Sequence, residues 1–368
     1  MPHLSSDIFL NQSASSYRFN GSPIDPQIIE FHRKLPHYDK TKLIPLPSVT
    51  SELGLSQVFL KDESTRFGLP SFKILGASWG IHRALAKECR LEPTASLEEV
   101  GEQARIKGAK LVTCTEGNWG RAVSRMAKYL QIPATIFVPR YMDDATWNKI
   151  SSEGAIVRRV NGEYDDAIQE AIQASKNEGM ILVMDTSWDG FEDISGWVVQ
   201  GYSTMLAEVD EQLAEHESKP ASHAIASVGV GSWAQAVVQH YKSRDPPATV
   251  ASVEPITAAC LKASLEAGKS VSVQTGDTIM CGMNCGTLSS IAWPVLKAGI
   301  DASVTVSEEE SHAAVKYLRE RDVNAGPCGA APLAALRKLH KEGLLKLGSD
   351  SVVVLFSTEG YRDYVIPS

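Results

Sequence analysis

From residue 57 onward, short runs of β-branched and apolar residues alternate with longer stretches of helical period, and this alternation most restricts the folds open to the chain. A strand buried on both faces reads as a continuous apolar run, and parallel strands need a crossover helix between them. Strands are therefore predicted at 57–61, 110–115, 134–138, 155–159, 181–183, 223–228, 249–253, 303–306 and 351–356. Helices are predicted at 72–86, 119–129, 143–152, 164–177, 193–213, 233–242, 258–267, 308–321 and 330–341. The order describes an α/β protein with parallel-rich central sheets flanked by helices. Residues 1–45 show little periodicity and several Ser, Asn and Pro, so an irregular arm is predicted there. A length of 368 residues exceeds what a single core supports, which implies two lobes, and the polar stretch 215–220 marks the expected crossing between them.

Several function classes are excluded at this level. The chain has 36 Lys and Arg against 44 Asp and Glu, a formal net charge of -8, with no basic block interleaved with aromatics, so nucleic acid is not an expected partner. The N-terminus shows no basic leader followed by an apolar stretch, and no apolar run reaches membrane-spanning length, so neither secretion nor a membrane is expected. Six scattered cysteines fit a reducing compartment, and the cytoplasm is the expected location. The Cys281-x-x-x-Cys285 pair lacks a second pair or a histidine cluster, so no metal is expected.

Four loops concentrate chemistry. The polar segment 61–73 ends in Lys73 where a helix is expected to begin, with Ser71 as its cap. A helix N-terminus disfavours an ammonium and favours a nucleophilic amine, although a lysine there is also a common solvated residue. In Thr115-Glu116-Gly117-Asn118-Trp119-Gly120, between strand and helix, Asn118 offers an amide to a ring oxygen or caps the helix, and Glu116 places a carboxylate at the ligand-binding edge of the sheet. In Ser227-Val228-Gly229-Val230-Gly231-Ser232-Trp233-Ala234, successive backbone N–H groups and a helix N-terminus form an anion cradle suited to a phosphate. The same loop, with Glu254 closing the next strand, partly mimics the dinucleotide fingerprint, so an NAD-dependent oxidoreductase is the competing class. The last strand ends in Ser357-Thr358-Glu359-Gly360, where a neutral hydroxyl of Ser357 or Thr358 beside a pyridine nitrogen would leave that nitrogen largely unprotonated.

Taken together in this order, the four loops resemble the pyridoxal phosphate (PLP) enzymes of the tryptophan synthase β-subunit group, fold type II. The resemblance sharpens toward the diaminopropionate ammonia-lyase family through Ser71-Phe72-Lys73-Ile74-Leu75-Gly76, Asp185-Thr186-Ser187-Trp188-Asp189-Gly190-Phe191, Glu254-Pro255 and Ser357-Thr358-Glu359-Gly360. It implies a two-lobed fold, with a large domain of residues 1–74 plus 201–368 and a small domain of residues 75–200. It implies PLP as cofactor, held by Phe72, Lys73, Asn118, Gly229, Val230, Gly231, Ser232, Trp233, Glu254, Ser357 and Thr358, with Lys73 as the Schiff-base lysine. It implies Lys73, Asp185 and Glu116 as catalytic residues, a small amino acid as substrate, and a homodimer. Cys260 and Cys285 match two family cysteines that can pair, and the reducing compartment implies thiols here.

The departures bear on the substrate: several of the family's acids, which would recognise a second amine, are absent, so a substrate diverged from diaminopropionate is expected. The family's Asp-Gly-Asn-His-Gly is Glu116-Gly117-Asn118-Trp119-Gly120 in this chain, so one acid is longer and a histidine has become an indole. Its Cys-Gly-Glu-Pro is Cys285-Gly286-Thr287-Leu288, and its Ser-Gly-Glu-Ser-Gly is replaced by Ala325-Gly326-Pro327-Cys328-Gly329. The expected reaction is elimination of a β-substituent, giving an aminoacrylate that hydrolyses to pyruvate and ammonia. Capture of that aminoacrylate by a nucleophile, as in a β-replacement synthase, is the alternative.

Overall fold

The computed structural model describes residues 7–367. Its strands are β1 Ile8–Leu10, β2 Leu43–Pro45, β3 Gln57–Asp62, β4 Leu111–Cys114, β5 Ala134–Val138, β6 Ile156–Arg159, β7 Ile181–Leu182, β8 His223–Ser227, β9 Thr249–Pro255, β10 Ala302–Val306 and β11 Val352–Ser357. The chain forms two compact units. The first comprises the described N-terminal residues to Ile24, Lys40–Arg66, and the chain from Ser203 onward; the second comprises Asp25–Asp39 and Phe67–Tyr202. Residues 25–39 and 67–74 thus pack with the second unit, and the segment 215–220 lies wholly within the first. The division falls instead at Tyr202.

In the first unit the strand order is β1-β10-β9-β8-β11-β3-β2, with five parallel inner strands and antiparallel edges. Pro45, which has no N–H to donate, sits on the edge strand β2, where the ladder tolerates it. The sheet's core packs Val58, Leu60, Ile225, Val253 and Val353 with Leu333, Leu336 and Leu339 of the helix Pro327–Lys341. The second unit holds an all-parallel sheet, β6-β5-β4-β7. Its core includes Val112, Phe137 and Leu182 with Ala167, Ala171 and Ala174 of the helix Tyr164–Glu178. Because the strands of each parallel set point one way, their carboxyl ends share one edge, and the loops leaving that edge carry the candidate residues.

A buried ionic cluster fixes the turn after β3. Lys61 Nζ donates to Glu208 Oε2 at 2.7 Å and to Gln212 Oε1 at 2.8 Å, while Arg66 bonds both Glu63 and Glu208. Every charge in it has a partner, which is the condition for tolerating charges removed from water.

The expected irregular arm is partly regular. It contains β1, β2 and the helix Pro26–Lys34, which starts on Pro26 with the Asp25 side chain accepting from Gln27 N. Three-residue strands are too short to show an alternation of period two. The expected helix over 193–213 is two helices, Asp193–Gly201 and Ser203–Glu215, broken at Tyr202. The helices Pro47–Leu53, Leu97–Ile106 and Ala292–Gly299 are additions to the expected set.

Candidate active site

Lys73 is the first residue of the helix Lys73–Cys89 in the second unit. Its expected cap, Ser71, contributes only a long contact from Lys73 N to Ser71 Oγ, 3.4 Å; Phe72 occupies the cap position without a side-chain bond. The helix end is therefore left polar at the lysine. Lys73 Nζ donates to Asp185 Oδ2 at 2.5 Å, with side-chain exposures of 20% and 9%. The ammonium also lies 5.5 Å from the Phe72 ring centre and 6.0 Å from that of Trp119. Asp185 follows β7 by three residues, and Ser195 Oγ ties the loop down by donating to Thr186 O at 2.5 Å.

The loop after β4 is closed by Thr115, whose Oγ1 accepts from Gly117 N at 2.9 Å and Gly120 N at 3.0 Å. Thr115 thus supplies a side-chain acceptor to the turn, and Asn118, the expected cap, instead opens the helix Asn118–Leu130, whose cap position is Gly117. A Cβ on Gly117 would meet nothing within 4 Å, so its backbone is open to a flat ligand. Trp119 is buried; its indole N–H bonds Thr113 Oγ1 at 3.0 Å and approaches Val183 O at 3.4 Å, fixing the ring at the ends of β4 and β7. Glu116 Oε1 accepts a hydrogen bond from the phenol of Tyr141, which lies beyond β5. Burial raises the Tyr141 phenol above its ordinary range, and the Glu116 bond adds to this. The sequence pattern did not single out Tyr141; its only signal was an aromatic residue in a strand-to-helix loop.

In the first unit, the loop after β8 leads into the helix Ser232–Lys242, whose N-cap, Gly231, has φ +93° and makes no side-chain cap bond. The first N–H groups of a helix have no intrahelical acceptor, so this end presents donors to an anion. A Cβ at Gly229 would sit 2.9 Å from Gly282 O, and one at Gly231 2.9 Å from Leu296 Cδ1. Both glycines are thus also required by packing behind the loop. Val230 O accepts from Ser289 N at 2.8 Å, and the Trp233 ring packs edge-on to Phe356 at 5.0 Å. β11 pairs with β8, with Leu355 opposite Ile225; two residues further along, Ser357 and Ser227 reach the same edge. Ser357 and Thr358 are both buried hydroxyls. Glu254, on β9, accepts from Leu261 N at 2.7 Å and Lys262 N at 2.8 Å, and burial pushes its carboxyl up to about 7.

The residues of each unit therefore suit PLP: in the second, a lysine paired to an acid and an open glycine turn; in the first, a helix N-terminus without a side-chain cap and buried hydroxyls at the same strand edge. No disulfide joins any two cysteines among the described residues. Among the described residues no group of three or more His, Cys, Asp or Glu is placed to hold a metal, and no helix is long and apolar enough to cross a membrane.

Residues 34–358 match the model of the pyridoxal-phosphate dependent enzyme family, and the chain belongs to that family. Its cofactor is PLP, its fold is type II, and it is an enzyme of the lyase type whose reaction is elimination. It is similar to the diaminopropionate ammonia-lyase of Salmonella typhimurium, 33% identical over 364 residues that cover 93% of this chain and 90% of that protein. Among solved structures it is similar to diaminopropionate ammonia lyase from Escherichia coli in complex with D-serine, with a TM-score of 0.86 at 28% identity, covering 96% of this chain and 93% of that one. The same E. coli enzyme in complex with an aminoacrylate-PLP azomethine reaction intermediate gives a TM-score of 0.87 at 28% identity and the same coverage. The nicotinamide alternative falls with this family, and Glu254, which would have bound a ribose, spends its carboxylate on the start of the helix Cys260–Ala267.

Proposed function

We propose that this protein removes the β-substituent of a small amino acid of the 2,3-diaminopropionate class, yielding pyruvate and ammonia after hydrolysis. The observation that carries the reading is the Lys73–Asp185 contact of 2.5 Å at a helix start, largely shielded from water. PLP supplies an electron sink for charge that develops at Cα. Lys73 would hold the cofactor covalently and, as a free amine, would take the Cα proton. Asp185 orients the lysine and shares that proton. Asn118 is assigned the ring oxygen, the backbone of Gly229, Val230, Gly231, Ser232 and Trp233 the phosphate, and Ser357 with Thr358 the ring nitrogen. Phe72 lies against the lysine, and Glu254 holds the loop edge. Glu116 is assigned the proton that the β-substituent needs in order to depart. A cytosolic location, a homodimeric state and a functional division into a large phosphate-binding domain and a small domain bearing Glu116 and Asp185 complete the proposal; six scattered cysteines, which fit a reducing compartment, support the first of these.

The experiment is turnover of both enantiomers of diaminopropionate and of serine by the PLP-saturated enzyme, read as pyruvate formation, with Asp185→Asn beside the wild type. Pyruvate from at least one of these substrates is expected, with kcat reduced on the order of a hundredfold in Asp185→Asn. Absence of pyruvate from all four overturns the reading.

A further inference from the structure

β4 and β5 are adjacent parallel strands, so the loops leaving their carboxyl ends are neighbours. Glu116 leaves β4 and Tyr141 leaves β5. The Tyr141 phenol donates to Glu116 Oε1 although the ring is 54% exposed, and its backbone neighbours are held from both sides. Arg140 N donates to Gly162 O at 2.9 Å, the Arg140 guanidinium bonds Glu163, and Met142 O accepts from Arg159 Nη2 at 2.9 Å. With its flanking backbone held in place, the tyrosine side chain reaches back to a carboxylate through that hydrogen bond. A glutamate has one more rotatable bond than an aspartate and needs such an anchor to hold one geometry.

We propose that Tyr141 is a positioning residue that aims Glu116 at the β-substituent of the substrate. The inference rests on the elimination reading given above. The setting is acidic: the phenol faces Glu116, Glu163 and Asp165. On the other side, the buried Cys114 thiol faces both Glu116 and Asp185, and burial, with those two charges, pushes it up to about 12. Asp185 in turn holds Lys73. The carboxyl edge of this sheet thus runs Tyr141, Glu116, Asp185 along β5, β4 and β7, with Lys73 at the end of the array. An edge lined by Glu116 and Asp185 suits a hydrogen-bond-donating β-group, an amine above all.

The test uses the PLP-loaded enzyme with Tyr141→Phe, Glu116→Gln and the double variant, assayed with both enantiomers of diaminopropionate. A phenol donating to a carboxylate favours its charged form, so its loss raises the carboxyl's titration midpoint. Tyr141→Phe is expected to retain full PLP content, lower kcat on the order of ten- to a hundredfold with less effect on KM, and move the alkaline limb of the rate profile, where the proton donor Glu116 is lost, to higher pH. Carboxyl carbon NMR, read as the difference between wild type and Glu116→Gln, should show the Glu116 midpoint rising in the Tyr141→Phe background independently of turnover. In Glu116→Gln, adding Tyr141→Phe should cost nothing further. Wild-type behaviour of Tyr141→Phe, or an additive loss in the double variant, overturns the role of Tyr141 while leaving Glu116 in place. Full activity of Glu116→Gln overturns the assignment of Glu116 and this inference with it.

Discussion

Gly201 sets how closely two helices approach, and one of them carries Lys73. A Cβ at Gly201 would lie 2.4 Å from Leu75 O and 2.9 Å from Gly76 Cα, both backbone atoms of the Lys73–Cys89 helix. Ordinary contact begins at 3.4 Å, so a methyl there needs about 1 Å of separation, 3.4 minus 2.4, and no side-chain rotation can supply it. Leu75 is two residues from Lys73, so the shift is passed to the lysine's start position. Displacement of a reacting group by about 1 Å costs on the order of a hundredfold in rate, or about 2.7 kcal/mol. Overpacking itself costs about 1 to 3 kcal/mol of stability. Gly201→Ala is therefore expected to fold, retain PLP at saturating cofactor, and show kcat about a hundredfold below wild type. Gly196, in the same helix, is the control: a Cβ there meets nothing within 4 Å, and alanine in a helix interior is favoured over glycine by about 0.5 to 1 kcal/mol. Gly196→Ala should keep wild-type kcat and gain stability. The reasoning is refuted if kcat of Gly201→Ala stays within about twofold of wild type.

Two further outcomes follow from buried charges. Glu254 is pushed up to about 7 by burial against an ordinary value of 4.5, so between these pH values the folded state keeps a proton that the unfolded chain releases, and stability falls as pH rises through the window. Denaturant unfolding at pH 5 and pH 8 should show this loss, up to about 3 kcal/mol, and Glu254→Gln should flatten it; equal pH slopes in both proteins would contradict the assignment. Arg66→Met leaves Glu63 and Glu208 with less compensation and should cost about 3 to 5 kcal/mol, read as a lower urea midpoint. A change under 1 kcal/mol would mean that Lys61 alone neutralises the cluster.

The nine expected strands all occur, within about two residues at their ends, most of them because buried parallel strands have to be continuously apolar; the edge strand β6, with Arg158 and Arg159, is largely exposed. What escaped was local structure without that signature: three-residue edge strands, the short helices beginning at Pro26 and Pro47, and the break at Tyr202. The loops singled out by composition do lie at strand carboxyl ends, since glycine-rich turns before helices mark such positions. Relations that depend on strand order were not legible. Nothing near residue 141 in the sequence indicates that its neighbour is Glu116; that follows from β5 pairing with β4. Likewise, Gly117 rather than Asn118 occupies the helix cap position, with Thr115 closing the turn, and Glu254 proves to be a helix-end acceptor.

The central claim, that Lys73 holds the cofactor with Asp185 as its partner, has a direct test. The PLP-loaded protein is reduced with borohydride, digested, and mapped by mass spectrometry. The pyridoxyl mass is expected on the peptide containing Lys73, at that residue. Its presence on Lys61 or any other lysine, with Lys73 unmodified, would contradict it.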